Sequence, residues 1–417
     1  MNTPRRVVIT GMGVIAANGC ELGKFWESIR AGRSAAGPVT RFDTSAMPVN
    51  IAAEVRDFHA ADYMPAKKAK HLDLATRYGV AAAKMAAKDA SLDISQMDPD
   101  RAGVVEGISL SGTETTLKGQ MAMARKSYRA INVFSLVTGY CGSGSGEIAL
   151  ELGCRGHAIT HCSGSASGND ALGYAFNMIQ QDEADVMVAG GAEAPLLPEL
   201  WGVFCVTKVM TSRNLSPLTA MRPFERQRDG FLLGEGAAFL ILEELTHALA
   251  RGVRIYAEIA GHGRSCEAYH SVAPHPEGMG AVRSLEKALR RARMEPNEVD
   301  YINLHGTATE LNDVVETIAV KRVFGAHAHK LALSSTKPIT GHLLGASGAL
   351  ESVVCALALK HQEIPGTINL TDPAEGCDLD YVPGRSRPYP IKVAANLNSG
   401  FGGKNSCLIF RDYRAEP

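Results

Sequence analysis

Short apolar runs that hand over to small residues, and then to stretches with apolar positions three and four apart, recur through this chain and narrow its fold more than any other feature. Val7-Val8-Ile9-Thr10 meets Gly11-Met12-Gly13 as a buried strand entering a glycine turn. The run from Ala184 to Glu193 ends in small residues, and another apolar strand follows Gly236. Strands are also expected over Arg101–Ser111, Ile255–Ile259, Tyr301–Leu304 and Ala332–Ser334. Helical spacing marks 67–90, 147–152, 280–293, 313–324 and 345–359, and the polar, glycine-rich stretch from Gly112 to Gly146 reads as a connection. This rhythm predicts an α/β protein in two successive halves, 1–250 and 251–417.

Composition removes several function classes. With 43 basic and 44 acidic residues the net charge is -1, which gives no global field for nucleic acid or an anionic membrane. The nine cysteines form no CxxC pair, so neither a metal site nor a disulfide scaffold is expected, and reduced thiols fit a cytoplasmic location. No apolar run approaches the roughly 18 residues of a membrane span, and the basic start meets glycine too soon for a signal peptide. The Gly11-Met12-Gly13 pattern lacks the third glycine and the acid of a dinucleotide loop and reads as structural.

The chemistry concentrates at strand ends. Ser163-Gly164-Ser165-Ala166-Ser167-Gly168 stands between a short β-like run and a helical stretch, 169–179. Small residues there allow a sharp turn that exposes one side chain beside helix N–H groups, although a plain turn needs the same residues. His305 follows the strand Tyr301–Leu304, and His342 precedes the alanine-rich helix that contains Glu351. Asn398 to Gly403 reads as a glycine-rich turn whose amides suit an oxyanion. Each histidine alone fits a structural role; their shared position at strand ends points to catalysis.

Together, Thr10-Gly11-Met12-Gly13-Val14, Ser165-Ala166-Ser167-Gly168, Arg228-Asp229-Gly230-Phe231, Gly234-Glu235-Gly236-Ala237, His305-Gly306-Thr307-Ala308-Thr309, Thr336 to His342 and Gly400-Phe401-Gly402-Gly403 resemble the β-ketoacyl-ACP synthase family, in order along nearly the whole chain. The resemblance implies a thiolase fold, two similar α/β halves in five αβαβα layers, usually as a dimer. It implies catalytic roles for His305 and His342, with Lys337 and Glu351 supporting the second histidine, and an acidic pair at Asp313 and Glu316. It implies an oxyanion hole at Ser165 and Phe401, pantetheine contacts at Thr307, Thr309 and Ser399, and carrier-protein docking at Lys67, Lys70 and Arg213. A solvated face is the competing reading for those cations. The resemblance implies no cofactor beyond the phosphopantetheine arm carried by an acyl carrier protein.

The elbow departs from the family pattern, because its register places Ser165, not Cys162, where relatives have the cysteine nucleophile. A thiol near pKa 8.5 is readily lowered at a helix N-terminus, whereas a serine hydroxyl ionises far less readily. Acyl transfer to Ser165 should therefore be slow, while loss of carbon dioxide from a malonyl thioester needs only its carbonyl polarised. The chain resembles the serine-for-cysteine members of polyketide β-branching cassettes, which convert malonyl-ACP to acetyl-ACP beside an HMG-CoA-synthase-like enzyme. Ser399 stands where condensing relatives often carry a phenylalanine gate. Two alternatives fit the same residues: a condensing synthase present as a cysteine-to-serine variant, and a non-catalytic partner resembling a chain-length factor.

Overall fold

The computed structural model describes residues 4–110 and 112–413. In the first half, strands β1 (Val7–Ala16), β2 (Ala102–Gly107), β3 (Ala158–His161), β4 (Val186–Glu193) and β5 (Gly236–Glu244) are joined by helices that include α1 (Leu74–Asp89), α2 (Thr113–Arg125), α3 (Ser143–Leu152) and α4 (Ser167–Gln180). In the second half come β6 (Ala257–Cys266), α5 (Met279–Ala292), β7 (Tyr301–Asn303), α6 (Glu310–Phe324), β8 (Ala332–Ser334), α7 (Ser347–His361), β9 (Val393–Gly400) and β10 (Lys404–Arg411).

Among the described residues these strands form one ten-stranded sheet in the order β8-β7-β9-β10-β6-β1-β5-β4-β2-β3. Numbered within its own half, each set of five runs 3-2-4-5-1, with the first two pairings parallel and the last two antiparallel. The sets meet at β1 and β6, where Val7, Val8 and Ile9 face Ile259, Glu258 and Ala257. Helices α1 and α3 cover the first set, α5 and α6 lie on the side of the second, and α4 and α7 pack against strands of both. The result is the five-layered thiolase fold.

The middle layer needs helices that are apolar or small all round. In α7 every residue from 347 to 359 is buried, and α4 is buried over most of its length. The two helices touch at their first turns through glycines: a Cβ on Gly168 would stand 2.5 Å from the Ala349 nitrogen, and one on Gly348 2.7 Å from the Asn169 nitrogen. The sequence repeats Ala-Ser-Gly at both places, 166–168 and 346–348.

The Gly11-Met12-Gly13 segment corrects the expected turn, since β1 continues unbroken through it to Ala16. Its glycines are needed for close approach, because a Cβ on Gly13 would lie 2.0 Å from the Ala82 carbonyl of α1. The second half uses the same device, with Gly263 of β6 facing the Ser284 carbonyl of α5 at 2.0 Å. The helix expected over 67–90 divides into a short turn, Ala66–Ala69, and α1, because the Glu114 carboxylate accepts the Leu74 N–H and starts a new helix there. The expected connection 112–146 contains α2 and the start of α3. The strand expected over 101–111 is β2, and Ser111 lies outside the described residues. Asn398–Gly400 closes β9, so only Phe401 to Gly403 turn, leading into the unforeseen β10. No helix among the described residues is long and apolar enough to cross a membrane.

Substituting Gly168 or Gly348 by alanine should lower stability by about 1–3 kcal/mol through overpacking. Gly146→Ala, in α3 with nothing within 4 Å of the added Cβ, should raise it by about 0.5–1 kcal/mol. Denaturant midpoints of the three variants check the contrast, and equal shifts would contradict the close-contact account.

Candidate active site

The strand β3 delivers the chain to Cys162 and Ser163, and Gly164, in the left-handed region at φ 64°, turns it into a single tight turn before α4 begins at Ser167. The turn is fixed from within: the Ser163 N–H donates to Ser167 Oγ (2.8 Å), and the Ser163 hydroxyl donates to Asp170 Oδ2 (2.7 Å) in the first turn of α4. Ser165 is left facing a cavity of about 490 Å³. Cys162 points elsewhere, with its thiol toward the Ser109 carbonyl.

His342 reaches the same cavity from the second half. Its N–H donates to the Leu232 carbonyl (2.7 Å) and its own carbonyl accepts from Gly234 (3.0 Å), so the histidine is stitched to the chain entering β5. His342 Nε2 lies 3.1 Å from Ser165 Oγ, and Nδ1 lies 3.0 Å from Ser347 Oγ. The Phe231 ring stands edge-on to the imidazole at 5.1 Å. His305 follows β7 and faces His342 with ring centroids 5.2 Å apart. Its N–H and that of Gly306 each donate to the Glu316 carboxylate at 2.7 Å, while the Asp313 carboxylate accepts the Phe224 N–H (2.7 Å). The family's acidic pair thus anchors backbone. Ala308 and Leu344, both in the left-handed region, flank the histidines, a conformation held only where the surroundings fix it.

Behind the histidines lies a buried polar chain. Lys337, fully buried, pairs with Glu351 at 2.6 Å, and Asn398 Nδ2 donates to the other Glu351 oxygen at 2.8 Å. Asn398 Oδ1 is 3.1 Å from His305 Nδ1, so Asn398 links Glu351 to His305. The expected partner of Lys337 and Glu351 was His342, and these hydrogen bonds run to His305 instead. Burial first, then the nearby Lys337 ammonium, pushes both histidines well below the ordinary imidazole range, so both are neutral at pH 7. Burial, reinforced by Asp313, raises the Glu316 carboxyl to about 7.

Thr307, Thr309, Ser399 and Phe401 also line the cavity. The Thr307 and Thr309 hydroxyls are 2.8 Å apart, and Ser399 donates to Asn405 Oδ1 at 2.6 Å. Gly400 lies against the elbow, with its pro-Cβ position 3.0 Å from the Ser165 nitrogen, which brings the Phe401 backbone beside Ser165. Among the described lining residues Glu267 and Glu310 carry charge, but no lysine or arginine does. Lys67, on the turn 66–69, and Lys70, just after it, are exposed and apart from the cavity lining, while Arg213 donates to the Gln227 carbonyl (2.7 Å) and approaches Asp229 (3.5 Å). Among the described residues no group of three or more histidine, cysteine or acidic side chains is placed to hold a metal ion. Two contributors were not singled out in the sequence: Ser347, hidden in an alanine-rich run, and the side chain of Asn398, noticed only as part of a turn.

The comparisons agree with this geometry. The family model described as beta-ketoacyl synthase, N-terminal domain, matches residues 4–248, and the C-terminal domain model matches 256–371. A 3-oxoacyl-[acyl-carrier-protein] synthase 2 from Synechocystis is 41% identical over 98% of this chain and 99% of its own, and one from Coxiella burnetii is 41% identical over 97% and 98%. Among solved structures, the ishigamide ketosynthase/chain length factor superimposes with TM-score 0.91 at 35% identity, covering 99% of this chain and 100% of that chain. The AntDE:AntF complex, a type II polyketide ketosynthase with its acyl carrier protein bound to the hexaketide, gives TM-score 0.91 at 33% identity, with the same coverage. With both domain models matched in order and two histidines converging on the elbow, this chain belongs to the beta-ketoacyl synthase family.

Proposed function

We propose that this chain decarboxylates malonyl-ACP to acetyl-ACP without forming a carbon–carbon bond, serving polyketide β-branching beside an HMG-CoA-synthase-like enzyme. The observation that carries the reading is Ser165 Oγ standing 3.1 Å from His342 Nε2, where a thiol would be the acyl acceptor. A hydroxyl there is a weaker acyl acceptor than a thiolate, because it attacks a thioester only where a base takes its proton. The rest of the site suits the other half-reaction. The bond between the malonyl carboxylate and Cα breaks, and its electron pair moves through Cα to the thioester oxygen. Imidazole N–H and the backbone N–H groups of Ser165 and Phe401 stabilise that oxygen, and the enolate carbon then takes one proton from solvent. Because no lysine or arginine among the described residues lines the cavity, a bound carboxylate has no counter-ion, which favours its departure as neutral carbon dioxide.

The Thr307 and Thr309 hydroxyls, at the cavity wall, suit the amides of the pantetheine arm, and Ser399 presents a small side chain to the same cavity. Lys67, Lys70 and Arg213 supply positive charge for an acidic carrier protein. A second copy of the chain is the proposed cover for β3, the half-exposed outer strand of the sheet, and for the neighbouring apolar surface, where Val133 is 82% and Leu136 85% exposed. A condensing role is the second reading, favoured by the 3-oxoacyl-ACP synthase 2 names of the relatives.

Mass spectrometry of malonyl-loaded carrier protein after incubation with the enzyme should show acetyl-ACP and no adduct on Ser165; unchanged malonyl-ACP refutes the reading. Ser165→Ala should keep decarboxylation within about tenfold, whereas His342→Ala should lower kcat by about 10²–10³. Ser165→Cys should gain a thiol that alkylating reagents label, yet give no efficient elongation of long acyl donors; efficient elongation would favour the condensing reading. Introducing aspartate at both Val133 and Leu136 should halve the sedimenting mass.

A further inference from the structure

His342 has two ring nitrogens and, when neutral, one proton. Which nitrogen carries it decides whether the imidazole removes the Ser165 proton or donates a hydrogen bond into the cavity. Nε2 faces Ser165 and Nδ1 faces Ser347 Oγ at 3.0 Å. Ser347 is 2% exposed, at the first turn of α7, and its hydroxyl has no other partner among the described residues. If Nδ1 carried the proton, Ser347 would accept it and leave its own O–H buried without an acceptor, an expensive arrangement. If the Ser347 O–H donates to Nδ1, every group is satisfied and the proton sits on Nε2.

The neighbouring histidine is set the other way. The Lys337-paired Glu351 carboxylate accepts, so Asn398 must turn Nδ2 toward it (2.8 Å); the same amide reaches Asn396 Oδ1 at 2.9 Å. The Asn396 amide is itself fixed by donating to the Gly348 carbonyl (2.8 Å) and Ser352 Oγ (2.9 Å). Asn398 therefore presents Oδ1 to His305, whose Nδ1 carries the proton and donates at 3.1 Å.

We infer that Ser347 is a positioning residue that fixes His342 as an Nε2–H donor, while Asn398 fixes His305 in the opposite tautomer with its Nε2 lone pair toward the cavity. Ser165 is then an acceptor from His342, and its hydroxyl is not deprotonated. The two imidazoles divide the decarboxylation: His342 Nε2–H donates to the enolate oxygen, and His305, staying neutral, accepts a hydrogen bond at Nε2 from a water whose other proton goes to the enolate carbon. The hydroxide so formed is neutralised by the one solvent proton the net reaction consumes. This inference deepens the decarboxylase reading and rests on it for the chemical step, but the tautomers themselves do not depend on it.

Nitrogen-15 NMR of histidine-labelled, ligand-free enzyme reads the tautomers, with His305→Gln and His342→Gln assigning the signals. The expected result is a protonated Nε2 and bare Nδ1 for His342, and the reverse for His305. Ser347→Ala should mix the His342 tautomers and lower kcat for acetyl-ACP formation about tenfold while KM stays within about twofold. Ser347→Thr, which keeps the hydroxyl, should restore both. A wild-type His342 protonated on Nδ1, or a Ser347→Ala enzyme with unchanged tautomers and kcat, overturns the inference. The expected tautomers in an enzyme that makes no acetyl-ACP support it and remove the decarboxylase reading instead.

Discussion

The backbone contact between α4 and α7 is the constraint on which the rest of this molecule depends. Glycine at 168 and 348 lets the two helices start against each other with no side chain between them. Ser165 and His342 lie just ahead of those starts, so their separation is set by the crossing itself and not by a flexible loop. Beside the contact, Asn396 donates to Asn169 Oδ1 at 2.9 Å and to the Gly348 carbonyl, tying β9 to both helices. Catalytic geometry and central packing are in this way one structure.

The interior is polar where an ordinary core would be apolar. Lys337 and Glu351 are both buried, and such a pair gives little net stability once desolvation is counted. Its consequence is directional: the carboxylate dictates the Asn398 amide, and the ammonium nearby disfavours charge on both imidazoles. Glu193 acts in a similar way on the elbow's surroundings, accepting N–H groups from Ser109 (2.8 Å), Leu110 (2.9 Å) and Gly345 (3.1 Å), so that one carboxylate clamps loops from both halves.

Much of this was legible in the sequence, because it lives in local pattern. The strand runs, the helical spacing and the small residues at 163–168 announce α/β layers and a tight turn, and both histidines stand directly in recognisable segments. What was not legible depends on partners far away in the chain. The glycines at 11 and 13 look like a turn until α1 is seen pressed on them, and β10 was hidden because its run follows a glycine-rich hairpin. The link from Glu351 to His305 could not be read at all, since it passes through Asn398, 47 residues beyond the glutamate. Likewise Ser347 is an unremarkable small residue in a helix until His342 folds back five residues to meet it.

The two halves share one strand order, and Ala166-Ser167-Gly168 and Ala346-Ser347-Gly348 stand at the same corner of each, where the helix after the third strand begins. In the first half the serine hydroxyl donates to the Ile108 carbonyl (2.7 Å) and closes the turn that carries Ser165. In the second half the corresponding hydroxyl is released from that duty and meets an imidazole. One corner built twice thus serves two ends: the first holds the elbow in shape, and the second is free to orient the ring that faces it.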